Sequence, residues 1–207
     1  MIMIKYGVFC EDEPHRIFII NLLNQITKLY ENQVIISFIF NHDFKIRYGA
    51  NFNRNQVKGR YLDVIKDSFI IYSLDLLFIG YDYDYHDENS FDKEYEKEVE
   101  KIKKLKSNFI NKTILFIPVQ CIEHWLWYLK LKENGGNIQR KIILEKRERN
   151  EAKEAVYENK KGIKDFRNMI ANSLTEQIDV LWLKQKSFSF RKFYNHFESY
   201  MKSNTSK

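Results

Sequence analysis

The chain has 207 residues, enough for one sizeable core or a domain with a small appendage. Hydrophobic residues make up 44% and charged residues 30%, and no apolar run approaches the ~20 residues of a membrane span, so a soluble globular chain with no membrane partner is expected. Two cysteines, Cys10 and Cys121, make no disulfide framework, and Met1–Ile4 is too short and too soon followed by acids for a secretory signal; the expected location is the cytoplasm.

The formal charge of +6 is unevenly spread. From Gln139 onward 16 Lys+Arg face 9 Asp+Glu, whereas the preceding residues carry 18 against 19. A near-neutral front with a basic back fits nucleic-acid binding. A solvated basic helical surface would carry the same excess.

In chain order, residues 2–10 read as a buried strand, and Pro14 opens an apolar helix through Ile17, Phe18, Leu22, Ile26 and Leu29. Gln33–Phe40 is β-branched and aromatic, hence a second strand. Asn41–Asn55, polar and rich in Asn, reads as a loop, and Gln56–Tyr72 as the next helix. Asp75–Gly80 is a third strand, followed by an acidic loop and a charged helix over Asp92–Phe109. Thr113–Pro118 is the fourth strand, with a helix after it that carries Ile122, Trp125, Leu126 and Leu129. Gly135-Gly136 breaks the pattern, and from about 142 to 201 the chain looks helical. The expected fold is therefore α/β, a mainly parallel sheet flanked by helices (residues 1–135), with a basic helical extension (136–207) packed on it.

Two acidic clusters directly follow strands: Glu11-Asp12-Glu13 after the first, and Asp82, Asp84, His86 and Asp87 after the third. The carboxyl ends of parallel strands are where open α/β sheets build their sites, and gathered oxygen ligands suit a hard divalent cation. The first cluster has a second reading, because carboxylates at a helix N-terminus cap free N–H groups. In the second, the i, i+2 spacing places Asp82 and Asp84 on one side of an extended segment, which is costly unless a cation or basic group neutralises them.

A strand ending in Glu, a helix, and a later strand ending in Asp-x-Asp resemble the Toprim domain of topoisomerases, primases and related nucleases. Phe9-Cys10-Glu11-Asp12-Glu13-Pro14-His15 is similar to the opening of Toprim nucleases of the overcoming-lysogenization-defect type, with Asp12 where Gly is usual. Ile117-Pro118-Val119-Gln120-Cys121-Ile122-Glu123-His124-Trp125-Leu126 is similar to a Pro-x(n)-Ile-Glu-x-Trp-Leu signature of small Toprim-like proteins from bacterial defence loci. The resemblance covers roughly residues 1–135 and, more weakly, the tail.

The resemblance implies Mg²⁺-dependent (or Mn²⁺-dependent) cleavage of phosphodiester bonds in tRNA, other RNA or DNA, in an antiviral effector. It places the catalytic Glu on Glu11, as a metal ligand or the general acid/base, and the metal pair on Asp82 and Asp84, with Glu13, Glu123, His86 and Asp87 as further candidates for catalysis, a second metal or orienting water. The competing expectation is a non-catalytic nucleic-acid-binding or scaffold subunit that keeps the fold. No phosphate-binding Gly-x-x-x-x-Gly-Lys-[Ser/Thr] loop occurs, so an ATPase motor or sensor is expected either on another chain or not at all. Lys146, Arg147, Lys160, Lys161, Arg191 and Lys192 are candidate phosphate contacts, and Arg149 shares their stretch.

Cys10, His15, Cys121 and His124 lack the paired spacing of a zinc site, and Cys121 lacks the electropositive setting of a nucleophile. Trp125, Trp127 and Tyr128 read as core on an apolar helix rather than as base-stacking platforms.

Overall fold

A computed structural model describes residues 2–30, 35–49, 52–84, 87–106, 108–135, 143–160 and 162–205. Its strands are β1 (Ile2–Cys10), β2 (Ile36–Phe40), β3 (Leu76–Gly80) and β4 (Thr113–Phe116), all parallel, in the order β2-β1-β3-β4. The chain steps from β1 to one neighbour and then back across to β3, so the order reverses between β1 and β3. Their carboxyl ends come level, Cys10 opposite Gly80, and that crevice is the topological switch point where ligands bind in such sheets. A Cβ on Gly80 would overlap the ring of Phe116 on β4, so the close strand packing there requires glycine.

Both sheet faces are covered, which is why the strands read as continuous apolar runs. Ile4, Tyr6, Val8 and Cys10 of β1, with Leu76 and Phe78, turn into one core, while Phe9, Leu77 and Ile79 turn into the other. Helix α1 (Glu13–Tyr30) contributes Phe18, Leu22 and Ile26 to the first core. Helices α2 (His42–Tyr48), α3 (Arg54–Ile70) and α4 (Glu88–Leu105) line the second through Phe44, Tyr61, Val64, Phe91 and Tyr95.

Helix α2 lies inside the stretch read as a polar loop. The Asn41 side chain accepts the Phe44 N–H at 2.9 Å, and Phe44 and Tyr48 are buried by the turns that follow. Asn53 then forms a reciprocal capping box with Gln56 at the start of α3. Asn41 and Asn53, two of the Asn residues that suggested a loop, are thus helix caps. Helix α4 also starts earlier than its apolar periodicity indicated, at Glu88, because Asp87 caps it.

After β4 come α5 (Glu123–Glu133), α6 (Arg149–Tyr157), α7 (Lys164–Thr175), α8 (Val180–Lys186) and α9 (Phe188–Thr205). The extension joins the first core: Trp125 of α5 stacks on Phe193 of α9 with centroids 5.6 Å apart, and its Nε1 donates to the Ser189 hydroxyl at 2.9 Å. Trp125 and Tyr128 are therefore core residues, and Trp127 is only partly buried against the same cluster. Among the described residues no helix is long and apolar enough to cross a membrane.

Candidate functional site

The switch point gathers acids from three strand ends. Glu11 immediately follows β1; its N–H donates to the Gly80 carbonyl at 3.1 Å, which fixes the backbone beside β3. Its carboxylate accepts the Asp82 N–H at 3.1 Å. Burial and the nearby Asp82 push the Glu11 carboxyl up to about 7.

Asp82 is 2% exposed, and its Oδ1 accepts the Ile122 N–H at 3.1 Å and lies 3.0 Å from His15 Nε2. The loop delivering Ile122 is pinned by the Tyr83–Val119 bridge and takes Gln120 to a φ of 63°, a left-handed conformation unusual for a side-chain-bearing residue. Fully buried His15 is held on its other side by Asp12, with Nδ1 2.6 Å from Asp12 Oδ1. Burial alone would lower the His15 pKa, but Asp12 and Asp82 outweigh it and raise it well above 6.5. For Asp12, burial acts upward, but His15 and Arg167 overcome it and hold the carboxyl far below the usual range.

The helical extension supplies the remaining charge. Arg149, the first residue of α6, places Nη2 at 2.8 Å from Asp82 Oδ2 and Nη1 at 3.1 Å from Asp84 Oδ1. Asp84 is also paired with Arg54 of α3. Arg167 of α7 bridges Asp12 at 3.2 Å and Glu123 at 3.3 Å. Glu123, buried at the start of α5, has its pKa raised by burial and by Asp82.

The structure thus brings together Glu11, Asp82, Asp84 and Glu123 of the residues singled out in the sequence. Others lie apart from this network. Glu13 pairs with Arg16 within α1. Asp87 accepts the Ser90 N–H at 2.8 Å and the Ser90 hydroxyl at 2.6 Å as the N-cap of α4, and those bonds lower its pKa. His86 and Lys161 lie outside the described residues. Cys121 Sγ lies 3.3 Å from His124 Nδ1, but burial raises the thiol pKa well above 9, the opposite of an activated nucleophile.

The candidate phosphate contacts fall into separate patches. Lys146 and the half-exposed Arg147 precede Arg149, and Arg147 lies 3.8 Å from Glu151. Lys160 covers the Phe166 ring at 4.8 Å. On α9, Arg191 lies 3.8 Å from Glu88, and Lys192 lies 3.1 Å from Asp92 and 2.9 Å from Glu96. Sequence reasoning missed the site roles of His15, Arg54 and Arg167. Apart from His15 with Asp12, their pairings span tens of residues, and only the Pro14-His15 position directly behind the first acidic cluster offered a local signal.

Comparison with protein-family models, curated proteins and solved structures found no match. The site therefore carries the functional argument alone. Its carboxylate donors are of the type a hard divalent cation takes. Among the described residues, however, no three His, Cys, Asp or Glu side chains converge as a ready metal cage, and arginine already holds the Asp82/Asp84 pair.

Proposed function

We propose that the protein is a metal-dependent nuclease of the Toprim type, cleaving phosphodiester bonds in RNA or DNA. The observation that carries this reading is the hydrogen-bonded junction of Glu11 with Asp82 at the switch point, where Glu11 titrates near 7. A carboxyl balanced near neutrality accepts and returns protons at the operating pH, which is what a general base facing an attacking water needs. Asp82 and Asp84 are the residues that would hold Mg²⁺ or Mn²⁺. A cation there supplies charge stabilisation for the phosphoryl oxygens. His15 and Asp12 hold Asp82 in place from behind, and the Ile122 N–H fixes its orientation. Arg167 keeps Glu123 paired at the edge of the site, and the basic Lys146–Arg149 stretch beside it favours an anionic substrate. The resemblance adds an antiviral effector role, with any ATPase or sensor on a separate chain.

One observation favours a second reading. Arg54 and Arg149 between them pair with both aspartates, as in a fold retained for binding or scaffolding rather than catalysis.

The deciding experiment incubates purified protein with tRNA, single-stranded DNA and duplex DNA, in Mg²⁺, Mn²⁺ or EDTA, with lysate from phage-infected cells added as a control for a missing activator. Cleavage only with a divalent cation, reduced about 100-fold or more by Glu11→Gln, is the expected result. No cleavage under any condition, with wild type and Glu11→Gln behaving alike in cells, would overturn the nuclease reading in favour of the scaffold.

A further inference from the structure

Much of the basic charge of the extension is already paired. Arg149 and Arg167 turn to the acids of the site, and Arg191 and Lys192 lie against α4. A second basic stretch lies in the front, which is near-neutral as a whole. Residues 41–60 carry five Lys or Arg (Lys45, Arg47, Arg54, Lys58 and Arg60) against one acid, Asp43. They build α2, directly after β2, and the first turns of α3. Arg54 is held by Asp84 and Lys58 by Glu94.

The other three cations are exposed, and among the described residues none of them pairs with a carboxylate. Each lies over an aromatic ring instead: Lys45 Nζ is 5.7 Å from the Phe40 centroid, Arg47 Cζ 5.6 Å from that of Tyr48, and Arg60 Cζ 5.2 Å from that of Phe52. Phe52 is tied to the site through the main chain. Its N–H donates to the carbonyl of Glu11 at 3.0 Å, and its half-buried ring packs on Phe9 of β1 with centroids 4.9 Å apart. The Phe52–Arg60 couple therefore stands one peptide contact from the carboxyl read as the general base. A guanidinium over a ring offers a flat, charged surface, and nucleobases stack on arginine planes as they do on aromatic rings. Base faces inside a duplex are covered by their neighbours, so such a surface selects an unpaired strand.

We propose that Phe52 and Arg60 form a stacking platform for an unpaired base beside the scissile phosphate, with Lys45 and Arg47 holding the backbone of the same strand, so that the substrate is single-stranded nucleic acid. This rests on the reading of Glu11 as the cleavage site. The strand then crosses α2 and the start of α3, and the paired cations of α9 take no part in holding it.

The test uses the full chain in a Glu11→Gln background, where binding is followed without cleavage. Fluorescence anisotropy measures affinity for a short labelled single-stranded DNA and for the same sequence as a duplex, over a series of salt concentrations. The single strand should bind more tightly than the duplex. Phe52→Leu and Arg60→Lys should each weaken single-strand binding about tenfold, the loss of one stacked base, without changing the salt slope, because neither alters charge. Lys45→Gln and Arg47→Gln should each lower the slope by about 0.7, and Arg191→Gln with Lys192→Gln should leave it unchanged. A single strand carrying the fluorescent base 2-aminopurine should lose emission on binding, and lose less with Phe52→Leu.

Duplex binding as tight as single-strand binding, or full affinity in Phe52→Leu and Arg60→Lys, would overturn the platform; cleavage in the substrate panel above would then still stand. Slopes that fall for Arg191→Gln with Lys192→Gln but not for Lys45→Gln or Arg47→Gln would overturn the strand path. Neither binding nor cleavage of any nucleic acid would overturn the platform and the nuclease reading together. Should Phe52→Leu not fold, Arg60→Lys at its exposed helical position decides: affinity equal to that of the unchanged background overturns the proposal.

Discussion

The backbone N–H of Asp82 donates to the Glu11 carboxylate at 3.1 Å, so the acids that follow two neighbouring strands are joined across the switch point. That bond favours ionised Glu11, yet burial and the charge of Asp82 oppose it more strongly and leave the carboxyl titrating near 7.

The raised Glu11 pKa sets a pH window for stability. The group is protonated more readily folded than unfolded, so its favourable contribution is complete below the ordinary value of 4.5 and is lost as pH rises through about 7. Glu11→Gln stays neutral throughout. In metal-free buffer the variant should match wild type in Tm near pH ~4 and exceed it near pH ~8. A pH-independent difference in thermal scans would rule out the shift.

The His15 contribution has the same sign of pH dependence but persists at neutral pH. Its pKa is raised well above 6.5, so the stability it supplies is present below that ordinary value and disappears only as pH climbs through the higher folded value. His15→Gln removes the cation between Asp12 and Asp82 and should cost about 3 kcal/mol near neutrality. The loss should shrink in alkaline buffer. Denaturant melts at several pH values measure both effects, and ring-nitrogen NMR of the wild type should show a charged imidazole near pH ~7.5.

Trp125 joins the strand-helix front to the helical extension through Phe190, Phe193 and Ser189. Trp125→Ala should cost about 3–5 kcal/mol. Because the core is shared, wild type should unfold in one transition by both circular dichroism and intrinsic fluorescence. Two well-separated transitions would show that the extension is an independent unit.

Glu145 is buried against the start of α9, where it accepts the Ser187 hydroxyl at 2.8 Å, the Phe188 N–H at 3.0 Å and the Ser189 N–H at 3.2 Å, along with the Ser189 hydroxyl. Burial raises its pKa despite these bonds. Glu145→Ala strands several donors and should cost about 3 kcal/mol, whereas Glu145→Gln, which retains an acceptor oxygen, should cost less. Equal costs in urea melts would mean that the charge, not the acceptor geometry, matters.

The sheet was legible because strands buried on both faces read as unbroken apolar runs: Ile2–Cys10, Leu76–Gly80 and Thr113–Phe116 stand out without help from periodicity. Helix α2 was not, since a seven-residue helix shows too little periodicity and its caps resemble loop residues. The acids of the site were legible from their place after strands. Their partners were not, because Arg149 and Arg167 reach back from the extension through tertiary packing alone. Net charge indicated that the extension is basic without distinguishing Arg149, which turns inward to the aspartates, from Lys192, which pairs with α4.

Two of the arginines that balance the strand-end acids, Arg149 and Arg167, are late arrivals during synthesis. A growing chain exposes Glu11, Asp12, Asp82 and Asp84 long before Arg149 and Arg167 are translated. A ribosome that stalls before residue 149 therefore releases a product bearing the acids but neither of those counter-charges. Such a fragment lacks two of the charges that line its own crevice as well as the core contacts of α9.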